Sequence, residues 1–433
     1  MRVRAVVTPM LVVSAFGFVA GCAATAIAPD WPPLAKKWFD RAAASYHEVD
    51  FEDAELAVDN ALRLEPHRNE VRLLSARVAL AELDYDRALK AIEGIDGSDA
   101  HGIRGRALWY SGDVDRAADE LDALLADPQV RDPWAQEVSK LARSGAGRQP
   151  FKITGSLLAS TEMPAIGNTA FVVPLELDGE PVLGLVATGT AEVVTDSGSG
   201  RQASWVSLRF GDRFEVKDVP ALTKDLTGVS RQLNAPIKVL LGVNLLRHIH
   251  PTVDFQGSQF VVRTFDPPPP PHATTLHLAY IRGGGMVFRT PLGQDNTSTG
   301  SLLIDTAMPF PLALDDGGWQ KAGVAVGSLT AVQNAAHLKQ GILPHVILGA
   351  FDIPKVPAVY GESLEEFENG LDVNLDGMVG SGLLAAFRVT LSDGGRTLWL
   401  EDTQLPPSPD QPESAPSQDP APPVAPKLGT PPS

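Results

Sequence analysis

The sequence predicts a multi-domain α + β protein, in which an N-terminal helical repeat is followed by two all-β lobes. Three observations predict this class. Apolar residues recur at helical spacing up to about residue 144. From about residue 151 they alternate with polar residues, as in strands. A pattern in the first β segment then returns in the second. With 433 residues, the chain has room for about two or three domains.

Composition excludes one class of partner. The chain carries a net charge of −17 and has no cluster of Lys or Arg, whereas binding to phosphate backbones requires a basic face. We therefore expect no nucleic-acid partner. A hydrophobic content of 44% is enough to form sizeable cores. No motif predicts a cofactor.

The N-terminus is typical of an export signal. Arg2 and Arg4 precede an apolar stretch over residues 5–20, which is short for a membrane-spanning helix and ends in small residues. The stretch ends in the sequence VAGC, whose cysteine is Cys22. This motif resembles the bacterial lipobox, and the resemblance implies cleavage before Cys22 and lipid attachment to its sulfur. An ordinary signal peptide with an incidental cysteine is the alternative.

We therefore expect a signal peptide over residues 1–22 and a tether over 23–30. The protein would be exported and lipid-anchored in the bacterial cell envelope, with the membrane as a partner through its lipid. Ala23 instead of Asp after the cysteine favours the outer membrane, facing the periplasm. Cys22 is the only cysteine, which excludes an intramolecular disulfide.

The helical domain is expected over residues 31–145 and contains a repeat. The sequence FEDA at residue 51 returns as YDRA at residue 85, 34 residues later, and DVDRA follows at residue 113. This period resembles that of the tetratricopeptide repeat, which implies helical hairpins that dock a protein partner through their concave face. Generic helical hairpins, or a domain that acts only as a spacer, are the alternatives.

Two β segments follow. Lobe 1 is expected over residues 151–266 and lobe 2 over 274–402, and the proline-rich linker 267–273 separates them. Residues 403–433 contain almost no large apolar side chains, so we predict a disordered Pro-rich tail.

The two lobes share three sequence blocks in the same order. The blocks that begin at Gly242 and Gly380 align over twelve residues, and the dipeptides Phe210-Gly211 and Leu348-Gly349 align at the same offset of 138 residues. The third pair consists of two β-strand–turn segments: VATG at residues 186–189 aligns with IDTA at residues 304–307. Chance does not explain such an order, and we interpret the lobes as a tandem duplication.

This order of blocks resembles the lobe of retropepsin-like (pepsin-type) aspartic peptidases. The resemblance covers residues 151–402 and implies that each lobe delivers one aspartate to a shared cleft. Two neighbouring carboxylates share a proton and act as general acid and base on a bound peptide. A hairpin from each lobe would fold over that peptide, which would pair with it as an added strand.

The sequence departs from the family pattern at the decisive position. Lobe 1 retains Thr188 and Gly189 but has Ala187 in place of the aspartate. Lobe 2 retains the candidate catalytic Asp305 together with Thr306, and Ala307 replaces the glycine. One chain would then supply a single carboxylate.

Three functional hypotheses follow. The leading one is a degenerate peptidase module, a pseudoenzyme that binds an extended peptide or a protein partner in its cleft with little or no hydrolysis. In the second, an active endopeptidase forms as a homodimer in which Asp305 meets its own copy. In the third, the helical repeats act as an envelope assembly adaptor.

Other groups of residues give weaker evidence for a functional site, and we predict no metal site. Residues 372–377 match half of a calcium loop, but Leu383 stands where the ligating glutamate is needed. His248 and His250 are expected on one face of a strand without a third ligand. Residues 283–285, three glycines, are expected to form a turn.

Overall fold

The computed structural model describes residues 31–200, 202–282, 284–293, 298–333, 335–362, 364 and 373–403. The predicted signal peptide with Cys22, the tether, and the tail from residue 404 onward lie outside these ranges. Within the described ranges, no helix combines the length and apolar character that crossing a membrane requires. The predicted succession of a helical region and a β-rich region is confirmed.

Seven helices form the described part of the N-terminal region, residues 33–144, and each of the first three pairs is an antiparallel hairpin. In each pair the second helix begins after an aspartate, Asp50, Asp84 or Asp113, whose side chain accepts a hydrogen bond from the backbone N–H three residues later. This shared cap explains the sequence repeat. The helices are α1 (Pro33–His47), α2 (Phe51–Leu64), α3 (Asn69–Ala81), α4 (Tyr85–Ala91), α5 (Ser98–Ser111), α6 (Val114–Leu125) and α7 (Pro133–Ser144).

Lobe 1 is a closed sheet with two short helices. Its strands lie in the order β1-β7-β5-β8-β4-β3-β6, and pairing of β6 with β7 closes it. The elements are β1 (Lys152–Gly155), β2 (Leu158–Glu162), β3 (Val172–Leu177), β4 (Glu180–Val186), β5 (Val193–Asp196), β6 (Ser204–Phe210), β7 (Phe214–Lys224), α8 (Thr227–Leu233), β8 (Ile237–Leu241), α9 (Val243–Ile249), β9 (Thr252–Asp254) and β10 (Gln259–Arg263).

Lobe 2 repeats this arrangement in the order β12-β13-β14-β19-β15-β18-β17-β16, and a single bridge between Leu292 and Val346 joins β13 to β17. The elements are β11 (Thr274–His277), β12 (Ala279–Ile281), β13 (Gly285–Pro291), β14 (Thr299–Asp305), β15 (Leu312–Leu314), α10 (Asp316–Lys321), β16 (Thr330–Val332), β17 (Ala335–Leu348), β18 (Phe351–Tyr360), β19 (Gly377–Gly380), α11 (Ser381–Leu384), β20 (Phe387–Ser392) and β21 (Thr397–Asp402).

Equivalent strands pair in the same way in both lobes. β4 runs parallel to β8 as β14 does to β19, and β5 runs parallel to β7 as β15 does to β18. The hairpins β6–β7 and β17–β18 both turn at a glycine with positive φ, Gly211 at 55° and Gly349 at 61°, a conformation that disfavours other residues. The duplicated sequence blocks therefore occupy equivalent places in the fold.

A six-stranded antiparallel sheet joins the lobes, in the order β11-β21-β20-β9-β10-β2. At its centre Thr252 pairs with Thr390, the residue 138 positions later, and their hydroxyl oxygens lie 2.8 Å apart. Since these two residues are equivalent in the duplication, a pseudo-two-fold axis passes between them.

The helical region packs against both lobes. On lobe 1, the indole N–H of Trp205 donates to the carbonyl of Leu141 at the end of α7, over 3.0 Å. On lobe 2, the hydroxyl of Ser301 donates to the carbonyl of Glu48 over 2.8 Å, and Arg289 forms an ion pair with Asp50. The helices therefore hold the two lobes together from outside.

Candidate functional site

The two turns singled out in the sequence meet within one chain. The hydroxyl of Thr188 donates to the carbonyl of Ile304 over 2.8 Å, and the hydroxyl of Thr306 donates to the carbonyl of Val186 over 2.7 Å. Each threonine oxygen also accepts the backbone N–H of the other threonine, at 3.1 and 3.0 Å. These four reciprocal bonds fix the two turns across the pseudo-two-fold axis.

The strands explain why the turns arrive together. β4 leads into Ala187 and β14 ends at Asp305, and each of these strands lies inside its sheet beside a parallel partner. Their carboxyl ends meet at the interface between the lobes. Thr188 and Thr306 are both buried there, so their hydrogen bonds are shielded from water.

Asp305 is partly buried at this interface. One of its carboxylate oxygens accepts the backbone N–H of Ala307 over 2.9 Å, and the backbone N–H of Gly189 donates to the carboxylate from the opposite lobe. Burial raises the pKa of Asp305 above 3.8, and the two N–H groups oppose that increase without cancelling it. The pKa is therefore raised by loss of solvent and not by a second carboxylate.

Lobe 1 supplies no acid opposite Asp305. Ala187 is buried, with 2% of its surface exposed. Gly189 packs directly on the carboxylate, since a Cβ atom added to this glycine would lie 2.6 Å from Cγ of Asp305. A side chain at residue 189 would displace the carboxylate. The six predicted site residues thus lie together, but they present one carboxylate.

The glycines before α9 and α11 support the turns from below. A Cβ atom on Gly242 would lie 2.2 Å from the carbonyl oxygen of Glu192, and one on Gly380 would lie 2.2 Å from that of Phe310. Each glycine therefore lets the backbone that follows the turn approach its helix. Because the two contacts are equivalent, both turns have the same support although only one carries an acid.

The expectation that a hairpin from each lobe folds over the cleft is wrong for lobe 1. Its hairpin β6–β7 turns at Gly211, which lies beside Ala159 of the six-stranded sheet. There, β5 and β6 are joined by residues 197–203, which begin with a 3₁₀ turn over Ser197–Ser199. In lobe 2, β16 and the first part of β17 form a hairpin between Thr330 and Gln340. The connection in lobe 1 is too short to form an equivalent hairpin, so the covering of the cleft is asymmetric.

A groove of about 380 Å³ lies beside the base of the lobe 2 hairpin. Phe310 and Pro311, which follow the Asp305 turn, form one side of it, and Ile342 of β17 forms another. Ile342 is 61% exposed, so its side chain presents apolar surface to solvent beside the groove. The groove thus offers apolar surface five residues away from Asp305 along the chain.

Glu192 is a buried acid that the sequence analysis missed. It is 2% exposed, and its carboxylate accepts the indole N–H groups of Trp109 over 3.0 Å and Trp134 over 3.3 Å. Asn244 also donates to it, over 3.5 Å. Burial raises the pKa of Glu192, and these donors oppose the increase. Its one signal in the sequence is its position. Glu192 follows Ala187 at the same distance at which Phe310 follows Asp305, so an acid stands where the second turn has an aromatic residue.

The expected strand placement of His248 and His250 is wrong, because both lie at α9. His248 is inside the helix, stacks on Phe151 at 4.2 Å, and has its pKa lowered to about 4 by burial. His250 ends the helix with a φ of 40° and lies 2.8 Å from Asp266. A helical segment here places the two rings on different sides.

In the calcium-loop match, the described aspartate already has hydrogen-bond partners from the protein. Asp376 accepts from the amino group of Lys321 over 2.7 Å and from the backbone N–H of Ser301 over 2.8 Å. Asp372 and Gly283 lie outside the described residues. In the part of the chain that the structure describes, no group of three His, Cys, Asp or Glu side chains is arranged to hold a metal ion.

No protein-family model and no curated protein matches the chain. Matching solved structures include a retropepsin-like aspartic protease from Rickettsia conorii, with 17% sequence identity and a TM-score of 0.23, over 30% of this chain and 90% of that chain. An aspartic proteinase from Irpex lacteus matches at 10% identity and a TM-score of 0.36, over 57% of this chain and 98% of that chain. Both identities and both TM-scores are low, so the choice of a function depends on the geometry described above.

Proposed function

We propose that the two β lobes form a degenerate aspartic-peptidase-like module, which binds extended peptides or protein segments and hydrolyses them slowly or not at all. One observation carries the proposal. The Thr188–Thr306 hydrogen bonds set Asp305 against Gly189 and the Ala187 turn of the same chain, where a second carboxylate would be required.

The chemistry of the site follows from its single acid. With a raised pKa, Asp305 is protonated over a wider range of acidic pH than an ordinary aspartate, and its O–H can donate to the carbonyl of a bound peptide. Hydrolysis also needs a base that takes a proton from water, and Ala187 has none to offer. Loss of one proton-transfer group typically costs on the order of 10²–10⁴-fold in rate. Binding is then favoured over turnover.

The groove beside the lobe 2 hairpin supports an extended ligand. Phe310 and Ile342 offer apolar surface for a peptide side chain, and strand β16 is the edge of its sheet. An edge strand has free backbone N–H and C=O groups that can pair with an added strand. We therefore expect recognition through the backbone of the ligand together with at least one apolar side chain.

The homodimer hypothesis is less well supported. For Asp305 to meet its own copy, Thr306 would have to exchange its partner Thr188 for a second Thr306. The central pair of strands, β9 and β20, would also have to separate. We retain the adaptor hypothesis as a further role for the helices, because that role requires no feature of the cleft.

The proposed location is the cell envelope, with the chain lipid-anchored through Cys22. The test is fatty-acid labelling of the protein in bacterial cells, with Cys22→Ser as the control. Label that persists in Cys22→Ser would contradict the anchor.

The function itself is tested with purified protein, a statine-containing hexapeptide and a mixture of unmodified peptides at acidic pH. We expect calorimetry to detect binding of the hexapeptide and mass spectrometry to detect no multiple-turnover cleavage. Asp305→Ala should weaken binding about tenfold, because a hydrogen bond to this carboxyl group is lost. Asp352→Ala, which changes an exposed acid of β18, is the matched control. Rapid cleavage that Asp305→Asn abolishes would refute the proposal.

A further inference from the structure

One edge of the six-stranded sheet that joins the lobes faces a groove. β11 is an edge strand of that sheet, and it pairs with β21 only. The groove beside it, here called the β11 groove, has a volume of about 460 Å³ and lies between lobe 2 and the start of α2. Among the described residues it shares no lining residue with the groove near Asp305. The β11 groove is therefore separate from the cleft, and its role is independent of the function proposed above.

β11 has backbone groups that no other strand uses. In an antiparallel pair, alternate residues bond to the partner strand, and the residues between them point their N–H and C=O groups away from it. The backbone N–H of Leu278 donates to the carbonyl of Arg396 over 2.9 Å, so the even-numbered residues of β11 bond to β21. The backbone groups of Thr275 and His277 therefore point outward, and no described residue bonds to them.

Two contacts bound this free stretch of β11. At its start, the hydroxyl oxygen of Thr274 accepts the backbone N–H of Ala350, in the turn between β17 and β18, over 2.5 Å. Just past its end, the side chain of Arg396 donates to the carbonyl of Glu82, the residue after α3, over 3.3 Å. The free backbone groups lie in the gap between these contacts. Pockets of about 300–1,000 Å³ hold ligands of moderate size, so a few residues of an extended chain fit in this groove.

The β11 groove combines apolar and acidic surface. Its apolar lining includes Leu276, Leu278 and Phe288, which are buried and leave little polar surface at the bottom of the groove. Its charged lining residues are three acids, one arginine and one histidine: Asp50, Glu52, Glu82, Arg289 and His277.

Two of the three acids already have partners. Asp50 forms an ion pair with Arg289, and Glu82 forms one with Arg87. Glu52 is exposed in the first turn of α2, and no described side chain forms an ion pair or a hydrogen bond with its carboxylate. The arginine of the lining is thus neutralised, and one carboxylate remains for a cation from outside the chain.

We propose that the β11 groove binds an extended segment of a protein partner, which adds to the sheet as a further strand and carries a lysine or an arginine. The free backbone groups select an extended chain, because such a chain presents N–H and C=O groups at the matching two-residue spacing. Glu52 selects a basic side chain on that segment, since opposite charges attract at close range. The helices and lobe 2 then form one binding surface together.

The C-terminal tail is a poorer occupant of this groove. It follows β21, the neighbour of β11, but from residue 406 onward its sequence has a proline at least every five residues. Proline has no N–H to donate to a neighbouring strand. The charged residues of the tail are three acids and one lysine, so the tail carries the same sign of charge as the groove.

The first test measures the fluorescence anisotropy of a labelled heptapeptide that alternates lysine with valine, titrated with the purified full chain at low ionic strength. We expect saturable binding. Thr275→Pro removes an outward N–H and breaks no bond to β21, and edge strands tolerate proline at such positions. Thr275→Val keeps that N–H and is the matched control. Binding should weaken about tenfold in Thr275→Pro and should not change in Thr275→Val.

The second test concerns the charge of the partner. Glu52→Gln removes the free carboxylate and should weaken binding of the lysine peptide about threefold. The matched control is Glu70→Gln, which changes an exposed acid in the first turn of α3, outside the groove. A heptapeptide that alternates glutamate with valine should bind at least about tenfold more weakly than the lysine peptide.

The proposal is overturned if the lysine peptide shows no saturable binding, or if Thr275→Pro binds it as tightly as wild type does. A synthetic peptide of residues 404–433 that binds more tightly than the lysine peptide would assign the groove to the tail. Self-association of the full chain that Thr275→Pro abolishes, seen by analytical ultracentrifugation, would assign it to a second copy.

Two further measurements keep the result interpretable. Circular dichroism checks the fold of each variant, and Glu52→Gln decides the outcome if Thr275→Pro misfolds. The statine-containing hexapeptide should bind Thr275→Pro and wild type equally, because the cleft is a separate surface. Failure of the present proposal can therefore be told apart from failure of the proposed function.

Discussion

Thr188 and Thr306 bind each other's strands: each hydroxyl donates to the carbonyl that lies two residues before the other threonine. Their two oxygens are 3.4 Å apart. The four polar groups that these bonds satisfy belong to buried residues, so the pair connects the two lobes as well as supporting the turns.

We predict that Thr188→Val and Thr306→Val each destabilise the protein by about 1–3 kcal/mol, because each leaves a buried carbonyl and a buried N–H without a partner. Urea denaturation followed by circular dichroism measures this. The control is Thr275→Val at an exposed position of β11. Threonine variants as stable as the control would show that the hydrogen bonds between the turns contribute nothing.

We predict that Ala187→Asp creates acid-pH peptidase activity. The new carboxylate would lie opposite Asp305, and two neighbouring carboxylates share one proton, which divides them into acid and base. The rate should rise by about 10²–10⁴-fold over wild type. A fluorogenic peptide assay with and without pepstatin measures it.

The control for this gain is the double variant Ala187→Asp with Asp305→Asn, which should be inactive. A second variant, Ala187→Asp with Ala307→Gly, also restores the small residue of the second turn. If both two-carboxylate proteins fold but cleave no peptide, the turns do not have catalytic geometry.

Replacement of Asp305 by Asn should change stability in a pH-dependent way. Burial raises the folded-state pKa of Asp305 above 3.8, so the folded protein binds its proton more tightly than the unfolded chain does. Its contribution to stability is therefore present below pH 3.8 and is lost as pH rises through the folded-state pKa. Because asparagine carries no charge, the stability of the variant should not fall as pH rises through that pKa.

The measurement is the difference in unfolding free energy between Asp305→Asn and wild type, from urea titrations at several pH values. We expect the difference to move in favour of the variant as pH increases across this window and then to level off. A difference that is independent of pH, or that moves in favour of wild type, would contradict the raised pKa.

We predict that Gly145→Ala weakens the contact between the helices and lobe 1. A Cβ atom on Gly145 would lie 2.1 Å from the ring of Trp205, so the ring would have to move. Overpacking of this kind costs about 1–3 kcal/mol. Thermal unfolding and tryptophan fluorescence measure the change. Gly228→Ala in α8, where an added Cβ meets nothing within 4 Å, is the control and should not destabilise the protein.

The duplication could be predicted from sequence because its offset of 138 residues is preserved by the fold: Thr252 and Thr390 pair with each other at the axis. The turn residues Ala187 and Asp305 were also predictable, since local strand–turn chemistry identifies them. The placement of His248 was wrong because the alternating pattern assigned to a strand belongs to a seven-residue helix, α9, which is too short to show helical periodicity.

The sequence patterns did not predict contacts between distant segments. Trp109 and Glu192 are 83 residues apart, and no spacing rule connects an indole N–H in a helix to a carboxylate in a β lobe. The hydrogen bond from Ser301 of lobe 2 to the carbonyl of Glu48 depends in the same way on how a strand of lobe 2 meets the helices. Such features depend on tertiary packing, which local patterns do not encode.

The central sheet has a consequence for the order of folding. β9 and β10 of lobe 1 are complete at Arg263, but β9 gains its second neighbour only when β20, which begins at Phe387, has been made. Until then β9 is paired with β10 on one side only, and another strand could pair with its free side. Exposed edges in partly folded chains generally carry this risk. Delayed completion of the C-terminal strands would therefore favour aggregation through this edge, and a partner that covers β9 during synthesis would suppress it.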